Sequence, residues 1–304
     1  MESRAVEQFF SGILKNDPNK SPAVAAIETL YEVMKRSRSG TLAGLNDELK
    51  VAVQAMMSTD YSTTSVSSAS ELFTRFITLT SLDQPGFDEC RRVLLARGRL
   101  FIERVSQARS KIAKSSLPFI RDGSAVLTHS CSRVVFEALK LAAAAGANLH
   151  IFVTESAPDY TGRIMADKLS RLGYQTTVIL DSAAAYVMEK VDFVLVGAEG
   201  VVENGGIINK IGSLGLAMAA RLANKPFYVM AESVKFVKEY PLNQRDIPDS
   251  FKYPASILKS ESANLAREHP LVDYTPPQYI RFLFTDLGIM TPAAVSDELV
   301  KLYL

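Results

Sequence analysis

The feature that most constrains the fold is a series of short apolar runs that begins at residue 125. These runs are rich in β-branched and aromatic residues and apolar on both faces, which is typical of strands buried in a parallel sheet. Segments with helical spacing separate them, so the chain is predicted to form a mostly parallel sheet covered by helices. The runs are AVLTH (125–129), LHIFVTE (149–155), QTTVIL (175–180), DFVLVG (192–197) and PFYVMAE (226–232).

The residues before Pro118 show helical spacing and no strand-type alternation. Ser21 and Pro22 form a helix start signal, because a capping hydroxyl precedes a proline at the first helical position. The fold class predicted is therefore α/β, with an N-terminal α-helical domain (1–117) followed by an α/β domain (118–304). The proline-containing tail after residue 251 is expected to pack back on the sheet.

Two further helix boundaries are predicted in the N-terminal domain. YSTTSVSSAS (61–70) is read as a polar break, with Ser70 as the N-cap of the next helix, ELFTRFITL (71–79). A long helix is then predicted from Phe87 to about residue 114.

Composition excludes several classes of function. A formal charge of +1 over 304 residues gives no broad attraction to nucleic acid or anionic lipid, and the basic run KRSR (35–38) is read as a helix end. No apolar stretch approaches the length of a membrane helix. Cys90 and Cys131 are too few for a disulfide framework, and no leader is seen, so the reducing cytosol is predicted. The three histidines form no metal-ligand spacing, and no metal is expected.

No cofactor is predicted either. A dinucleotide fingerprint G-x-G-x-x-G is absent, and GGIINKIGS (205–213) has its lysine before the last glycine, which is the wrong order for a phosphate loop.

Polar residues follow the predicted strands, most densely in VGAEGVVENGGIINKIGS (196–213). Ligands bind beyond the carboxyl ends of strands in such folds, so Glu199, Asn209 and Lys210 are candidates for holding an anionic ligand such as a phosphorylated sugar. Helix capping is the competing interpretation, and it suffices for Ser156 and Ser182. Spacing alone favours the pocket only slightly.

Candidate nucleophiles are weak. Ser130 follows a histidine, but no third orienting group can be named. Cys131 at a helix start is a candidate for a lowered pKa, although inert packing is the favoured interpretation.

The same strings carry a family resemblance. VGAEGVVENGGIINKIGS and LFTDLGIMTPAAVSDELVKLYL (283–304) closely resemble the alpha branch of the translation initiation factor 2B alpha/beta/delta family. That family is related to ribose-1,5-bisphosphate and methylthioribose-1-phosphate isomerases, and the resemblance implies a Rossmann-like second domain. It runs end to end, with further matches in SPAVAAIETL (21–30), ELFTRFITL, VLTHSCSRVV (126–135), VTESAPDYTG (153–162) and KPFYVMAESVKF (225–236).

Comparison with the isomerase motifs implies an altered active site. Their L-T-H-C motif supplies a catalytic cysteine, where this chain has Ser130, and their G-A-D motif supplies a catalytic aspartate, where it has Glu199. Asn209 and Lys210 match the substrate-holding N-K-I-G, whereas an isomerase arginine falls on Ala157. At the cysteine position a hydroxyl replaces a thiolate, which is the better nucleophile. At the aspartate position glutamate is one methylene longer, and a displacement of a catalytic group by about 1 Å can lower the rate on the order of 100-fold. No catalytic residue is therefore predicted, only a relic sugar-phosphate pocket.

The function implied by the resemblance is that of a non-catalytic regulatory subunit of a guanine-nucleotide exchange complex. Such a subunit homodimerises, joins the beta, gamma, delta and epsilon subunits, and helps sense phosphorylated initiation factor 2, which slows exchange in the integrated stress response. Arg75 is a candidate contact for that phosphorylated partner, although a solvated charge is the competing interpretation. The alternative function is an active sugar-phosphate (aldose–ketose) isomerase.

Overall fold

The computed structural model describes residues 1–78, 86–259 and 269–303, which divide into two compact units. The first unit contains the described residues up to Gln107, together with 253–259, 269 and 302–303. The second contains residues 108–252 and 270–301. The division at 107 differs from the predicted 117 because one long helix continues from the first unit into the second.

The N-terminal residues are helical, as predicted. A hydroxyl cap starts the second helix, since Ser21 Oγ accepts from the Val24 amide at 3.3 Å and Pro22 fills the first position. Thr41 caps the next helix in the same way. The helices are α1 (Ser3–Asn16), α2 (Pro22–Arg36), α3 (Leu42–Met57), α4 (Thr63–Thr78) and α5 (Phe87–Ser116).

The predicted break at residues 61–70 is wrong, because α4 begins at Thr63 and runs through it. Ser65, Ser68 and Ser70 are buried within the helix rather than exposed in a loop. The Ser68 hydroxyl donates to the Ser65 carbonyl at 3.3 Å, so a helical serine can satisfy its side chain locally. Ser70 is therefore not an N-cap. Residue 79, the last of ELFTRFITL, lies outside the described residues.

The second unit contains two sheets and the remaining helices. All five strands predicted from the sequence are present. The strands are β1 (Ala125–His129), β2 (His150–Thr154), β3 (Gln175–Ile179), β4 (Phe193–Gly197), β5 (Gly200–Val202), β6 (Ile207–Lys210), β7 (Phe227–Met230), β8 (Phe236–Val237), β9 (Val272–Thr275), β10 (Phe282–Thr285) and β11 (Gly288–Met290). The helices are α6 (Arg133–Ala144), α7 (Thr161–Ser170), α8 (Ala184–Val187), α9 (Ser213–Leu222) and α10 (Asp249–Lys252); further along the chain come α11 (Ala255–Leu258) and α12 (Val295–Tyr303).

The larger sheet has the order β11-β10-β7-β4-β1-β2-β3, and only β11 is antiparallel to its neighbour. Counting its parallel strands alone, the order is that of a doubly wound dinucleotide-binding fold, with the reversal between β1 and β4. The prediction of a mostly parallel sheet is confirmed. β10 pairs with β7 and β9 pairs with β6, so this later part of the tail packs on the sheets as expected. Residues 253–259 instead belong to the first unit, so the prediction is wrong for them. Residues 260–268 of that tail lie outside the described residues.

A second sheet, β8-β5-β6-β9, was not predicted from the sequence. β5 and β6 form an antiparallel hairpin that starts directly after Glu199 and ends at Lys210. Gly205 in its turn has a φ of +84°, and a Cβ there would lie 2.2 Å from the Pro292 carbonyl oxygen. Only glycine fits this close approach. The hairpin thus fixes where Asn209 and Lys210 emerge.

None of the helices in the described ranges combines the length and the apolar character needed to cross a membrane.

Candidate functional site

The candidate site lies where β1 and β4 end, at the reversal of strand order. Their register, Val126 opposite Phe193 and Leu127 opposite Val194, brings both carboxyl ends to one edge. Gly197 closes β4 against the loop after β1, since a Cβ there would lie 2.3 Å from Ser132 Oγ. Crevices at such reversals are the ligand sites of doubly wound sheets.

A chain of side-chain contacts starts at Ser130, directly after β1. Ser130 has a φ of +60°, and its hydroxyl lies 2.7 Å from Thr161 Oγ1 at the start of α7. Thr161 donates its hydroxyl (2.9 Å) and its backbone amide (3.1 Å) to Asp159 Oδ1. The other oxygen of Asp159 forms an ion pair with Lys210 at the end of β6. The structure thus connects two of the predicted site residues, Ser130 and Lys210, through two that were not predicted.

The direction of each hydrogen bond in this chain is fixed by chemistry. An ionised carboxylate only accepts, so the single hydroxyl proton of Thr161 goes to Asp159. Thr161 Oγ1 must then accept from Ser130, whose own proton is thereby used. Lys210 and the Thr161 hydrogen bonds outweigh the opposing effect of partial burial and lower the pKa of Asp159. Asp159 is therefore ionised at neutral pH.

Asn209 precedes Lys210 on β6 and is buried. Its amide nitrogen donates to Ser213 Oγ at 2.9 Å, and that hydroxyl donates to the Lys210 carbonyl at 2.7 Å. Asn209 therefore holds the backbone around Lys210 against the first turn of α9.

His129, at the end of β1, is a buried structural histidine. Its Nε2 lies 2.8 Å from the Ile211 carbonyl, which only accepts, so Nε2 carries the proton. Nδ1 then accepts from the Thr154 hydroxyl at 2.5 Å. Burial lowers the pKa of His129, so the ring is neutral at neutral pH. Both ring nitrogens are engaged, which leaves no free position for a general base acting on Ser130.

The thiol beside Ser130 is not activated. Burial raises the pKa of Cys131, and the nearby Lys168 and Arg133 only partly offset this. The side chain packs against the core of the larger sheet. This finding supports inert packing over a reactive thiolate for Cys131.

Glu199 lies two residues beyond β4 and is partly buried. Its amide donates to the Ile208 carbonyl at 2.9 Å, which ties it to the β5–β6 hairpin. The preceding carbonyl, that of Ala198, accepts from Lys235 Nζ at 2.7 Å. The turn that carries Glu199 is therefore held from both sides.

Lys235 also belongs to a buried ion cluster. Its Nζ lies 3.3 Å from Glu232 Oε2, and Arg109 Nε lies 2.8 Å from Glu232 Oε1. Burial alone would raise the pKa of Glu232, but Lys235 and Arg109 outweigh it and lower the pKa to about 2. This cluster supports the turn before Glu199.

A second buried carboxylate occupies the N-terminus of α9. Asp273 Oδ2 accepts from the amides of Gly212 (2.8 Å) and Leu214 (3.1 Å). Burial raises the pKa of Asp273 to about 7, because the hydrogen bonds from the two amides only partly offset the cost of burying the charged carboxylate. An anionic ligand therefore cannot use these two amides while Asp273 holds them.

Capping does not explain Ser156 and Ser182, contrary to the sequence interpretation. Ser156 has a φ of +61°, its amide donates to Asp181 Oδ1 at 2.9 Å, and its buried hydroxyl makes no hydrogen bond to any described residue. Ser182 lies inside a short 3-10 helix, Asp181–Ala183. In the described ranges, no cluster of three or more histidine, cysteine or carboxylate side chains is arranged to hold a metal.

Arg75 lies on α4 in the first unit. It lines a groove of about 530 Å³ between α3 and α4, together with Lys50 and Glu71. The groove contains none of the strand-end residues. The role predicted for Arg75 as a partner contact stays a prediction.

The chain matches the model of the initiation factor 2 subunit family over residues 15–292. It is 46% identical to translation initiation factor eIF2B subunit alpha of Caenorhabditis elegans, with all of both chains covered. It is 43% identical to the Dictyostelium discoideum protein of that name, covering 97% of this chain and 95% of the relative. A ribose 1,5-bisphosphate isomerase of Archaeoglobus fulgidus is 31% identical over 88% of this chain and 83% of the isomerase.

Solved structures of initiation factor 2B proteins have a similar fold. The Pyrococcus horikoshii translation initiation factor eIF-2B has a TM-score of 0.72 at 25% identity, covering 96% of this chain and 98% of the other. A chain of the tetrameric eIF2B-beta2-delta2 complex from C. thermophilum has a TM-score of 0.77 over 100% and 96% of the two chains; at 19% identity it supports the fold alone. On the family model and the full-length relatives, the chain belongs to the initiation factor 2 subunit family.

Proposed function

We propose that this chain is the alpha subunit of the eIF2B guanine-nucleotide exchange complex, acting as a regulatory subunit without catalysis of its own. The full-length identity of 46% to a relative named eIF2B subunit alpha carries this proposal. The subunit forms a homodimer in the cytosol and joins the beta, gamma, delta and epsilon subunits. Within the complex it contributes to the recognition of initiation factor 2 phosphorylated on its own alpha subunit.

The absence of catalysis rests on the strand-end chemistry. At the position where the related isomerases have a catalytic thiol, Ser130 presents a hydroxyl whose proton is donated to Thr161. A serine acts as a nucleophile or proton carrier only with an adjacent base, and the neighbouring His129 has both nitrogens engaged. The adjacent Cys131 has a raised pKa. Ser130 is therefore joined to the Asp159 carboxylate through Thr161 rather than directly, and neither neighbour in sequence, His129 or Cys131, supplies an activated group.

The pocket still has the parts of a sugar-phosphate site. Lys210 provides a cation with 17% of its side chain exposed. Asn209 precedes it on β6, and Ser130 and Glu199 follow the carboxyl ends of β1 and β4. The strand reversal is where such folds bind phosphorylated ligands. Binding of a sugar phosphate here reports metabolite levels to the complex.

The regulatory proposal is tested by reconstitution. The purified chain is mixed with a complex of the other four subunits, and nucleotide exchange is measured with and without phosphorylated initiation factor 2. The chain should enter the complex and make exchange sensitive to the phosphorylated factor. If assembly and sensitivity are both unchanged by its addition, the regulatory function is refuted.

Arg75 allows a finer test within the same assay. Because it lines the α3–α4 groove, Arg75→Glu should weaken inhibition by the phosphorylated factor while assembly is unaffected. Arg92→Glu is the matched control, since Arg92 is an exposed arginine on α5 with 77% of its side chain accessible. If the phosphorylated factor inhibits both variants equally, Arg75 does not contact that factor.

A further inference from the structure

The pocket's cation is already neutralised from within, by Asp159. We propose that Asp159 is a built-in counter-ion that selects phosphate esters carrying hydroxyl groups and excludes bare phosphate and esters without hydroxyls. The inference rests on the proposed sugar-phosphate pocket and names the ligand class that it accepts.

The geometry makes Asp159 a competitor for Lys210. One oxygen of Asp159 pairs with Lys210, and the other accepts two hydrogen bonds from Thr161. Ser130 completes the chain through Thr161. A phosphate that approaches Lys210 therefore meets a carboxylate at hydrogen-bonding distance from the same ammonium group.

Asp159 and Lys210 are accessible enough to exchange partners. Their side chains are 35% and 17% exposed, so a ligand can reach both without unfolding the site. The backbone around Asp159 is firmly placed, because Asp181 accepts from the amides of Ser156 (2.9 Å) and Ala157 (2.7 Å). Asp159 is thus held next to the bound ligand rather than swinging away from it.

The chemical class of ligand follows from this arrangement. A phosphate bound to Lys210 places negative charge within a few ångströms of Asp159, and like charges at that separation repel. A polyol attached to the phosphate offsets this repulsion, because its hydroxyls can donate hydrogen bonds to the Asp159 oxygen that pairs with Lys210 when no ligand is bound. Inorganic phosphate and alkyl phosphates offer Asp159 no such donors. The pocket should therefore discriminate by the hydroxyls next to the phosphate.

The test compares ligands that differ in hydroxyl groups. Binding of glucose 6-phosphate, fructose 6-phosphate, ethyl phosphate and inorganic phosphate is measured by calorimetry on the full chain, on Asp159→Asn and on Lys210→Ala. Asp167→Asn is the matched control, because Asp167 is an ion-paired aspartate on α7 with 59% of its side chain exposed. Asp159→Ala serves as a second neutral variant if Asp159→Asn does not fold, as judged by thermal unfolding.

In the unmodified chain, at least one hexose phosphate should bind ten or more times more tightly than ethyl phosphate, since about 1.4 kcal/mol separates affinities tenfold. Asp159→Asn should bind ethyl phosphate and inorganic phosphate about tenfold more tightly, so that the preference shrinks to about threefold or less. The Asp167→Asn control should behave as the unmodified chain does, and Lys210→Ala should lose affinity for all four ligands. An unchanged preference in Asp159→Asn overturns the inference, as does equal binding of hexose and ethyl phosphates by the unmodified chain.

The result also separates this inference from the proposed function. A chain that enters the exchange complex and confers sensitivity to phosphorylated initiation factor 2, yet binds none of the four ligands, overturns the role of Asp159 and leaves the regulatory subunit standing. A chain that shows the predicted preference but does not enter the complex supports the role of Asp159 and refutes the regulatory subunit.

Discussion

Two groups of ionic contacts in the second unit differ in how firmly they are held. The first is the pair of Lys210, at the end of β6, with Asp159, in the loop between β2 and α7; their side chains are 17% and 35% exposed. Glu232, after β7, has 4% exposed and contacts two cations, Arg109 and Lys235. The first pair is partly open to solvent, as the proposed exchange with a ligand requires, whereas separating the Glu232 carboxylate from its cations would carry a large desolvation penalty.

Charged groups at this edge of the sheet therefore differ in role according to how deeply they are buried and how fully their charge is compensated. The Glu232 cluster stabilises the turn before Glu199, and the Lys210–Asp159 pair offers a replaceable contact. Asp273 is a third case, a buried carboxylate held by backbone amides, whose pKa is raised rather than lowered. Substitutions at the three sites should therefore have very different effects on stability.

The largest effect is expected at Glu232. Glu232→Gln leaves two cations facing a neutral amide in a buried site, and removing one partner of such a pair costs about 3–5 kcal/mol. The free energy of unfolding from urea titration at pH 7 measures this loss. Glu189→Gln, at an exposed glutamate, is the control and should change it little. A loss at Glu232 no larger than the control would mean that this cluster is as replaceable as the Lys210 pair.

The pH dependence of the same cluster follows from its lowered pKa. Glu232 stabilises the fold fully above pH 4.5, its ordinary pKa, and this contribution is lost as the pH falls towards about 2.

Asp273 should act in the opposite direction. Its pKa is raised from 3.8 to about 7, so its contribution is fully present below pH 3.8 and is lost as the pH rises through about 7. A shift of about three pKa units corresponds to up to about 4 kcal/mol. Asp273→Asn should remove this decline, which urea titrations between pH 4 and 8 would reveal. The same pH profile in the variant and the unmodified chain contradicts the assignment.

A smaller effect is expected for the Lys210–Asp159 pair. Lys210→Ala should reduce the free energy of unfolding by about 1 kcal/mol, less than Glu232→Gln does, because Asp159 is 35% exposed and water can solvate it once Lys210 is removed. Thermal unfolding at low and high salt measures it. A loss comparable to that of Glu232→Gln would show that Lys210 is primarily structural.

The smallest effect is predicted for the chemical reactivity of the Cys131 thiol. Because burial raises its pKa, the thiol should react with a thiolate-selective reagent more slowly than free cysteine at pH 7.5. The reaction is followed by mass spectrometry, with Cys131→Ala to identify the modified site. Faster reaction than free cysteine would place an activated thiol beside Ser130.

The larger sheet could be predicted from the sequence because β1 to β4 and β7 lie in apolar runs rich in β-branched and aromatic residues. The second sheet could not, since glycines and polar residues interrupt the apolar residues of β5 and β6 and are typical of loops. The serine-rich start of α4 was misread for a related reason. Small polar residues usually mark breaks, but here they are buried within the helix.

The positions of the candidate site residues could be predicted in part, and their role stays a prediction. Ser130, Asn209 and Lys210 carry motif signals and lie at the predicted edge, with Ser130 and Lys210 in one chain of contacts. Asp159 and Thr161 were missed, because only the fold of the loop before α7, with Ser156 and Tyr160 at positive φ, brings them between the other two. No periodicity in the sequence reports such a contact. A charged residue a few positions after a predicted strand was the only available signal.

We propose that the strand-end site holds sugar phosphates without rearranging them. The most direct measurement is a single-turnover assay of the purified chain with ribose 1,5-bisphosphate or methylthioribose 1-phosphate, following conversion of aldose to ketose. No product should form above the rate in buffer, because the Ser130 hydroxyl contacts Thr161 rather than a base, and both ring nitrogens of the neighbouring His129 are engaged. Conversion at an enzymatic rate, abolished by Ser130→Ala, would contradict it.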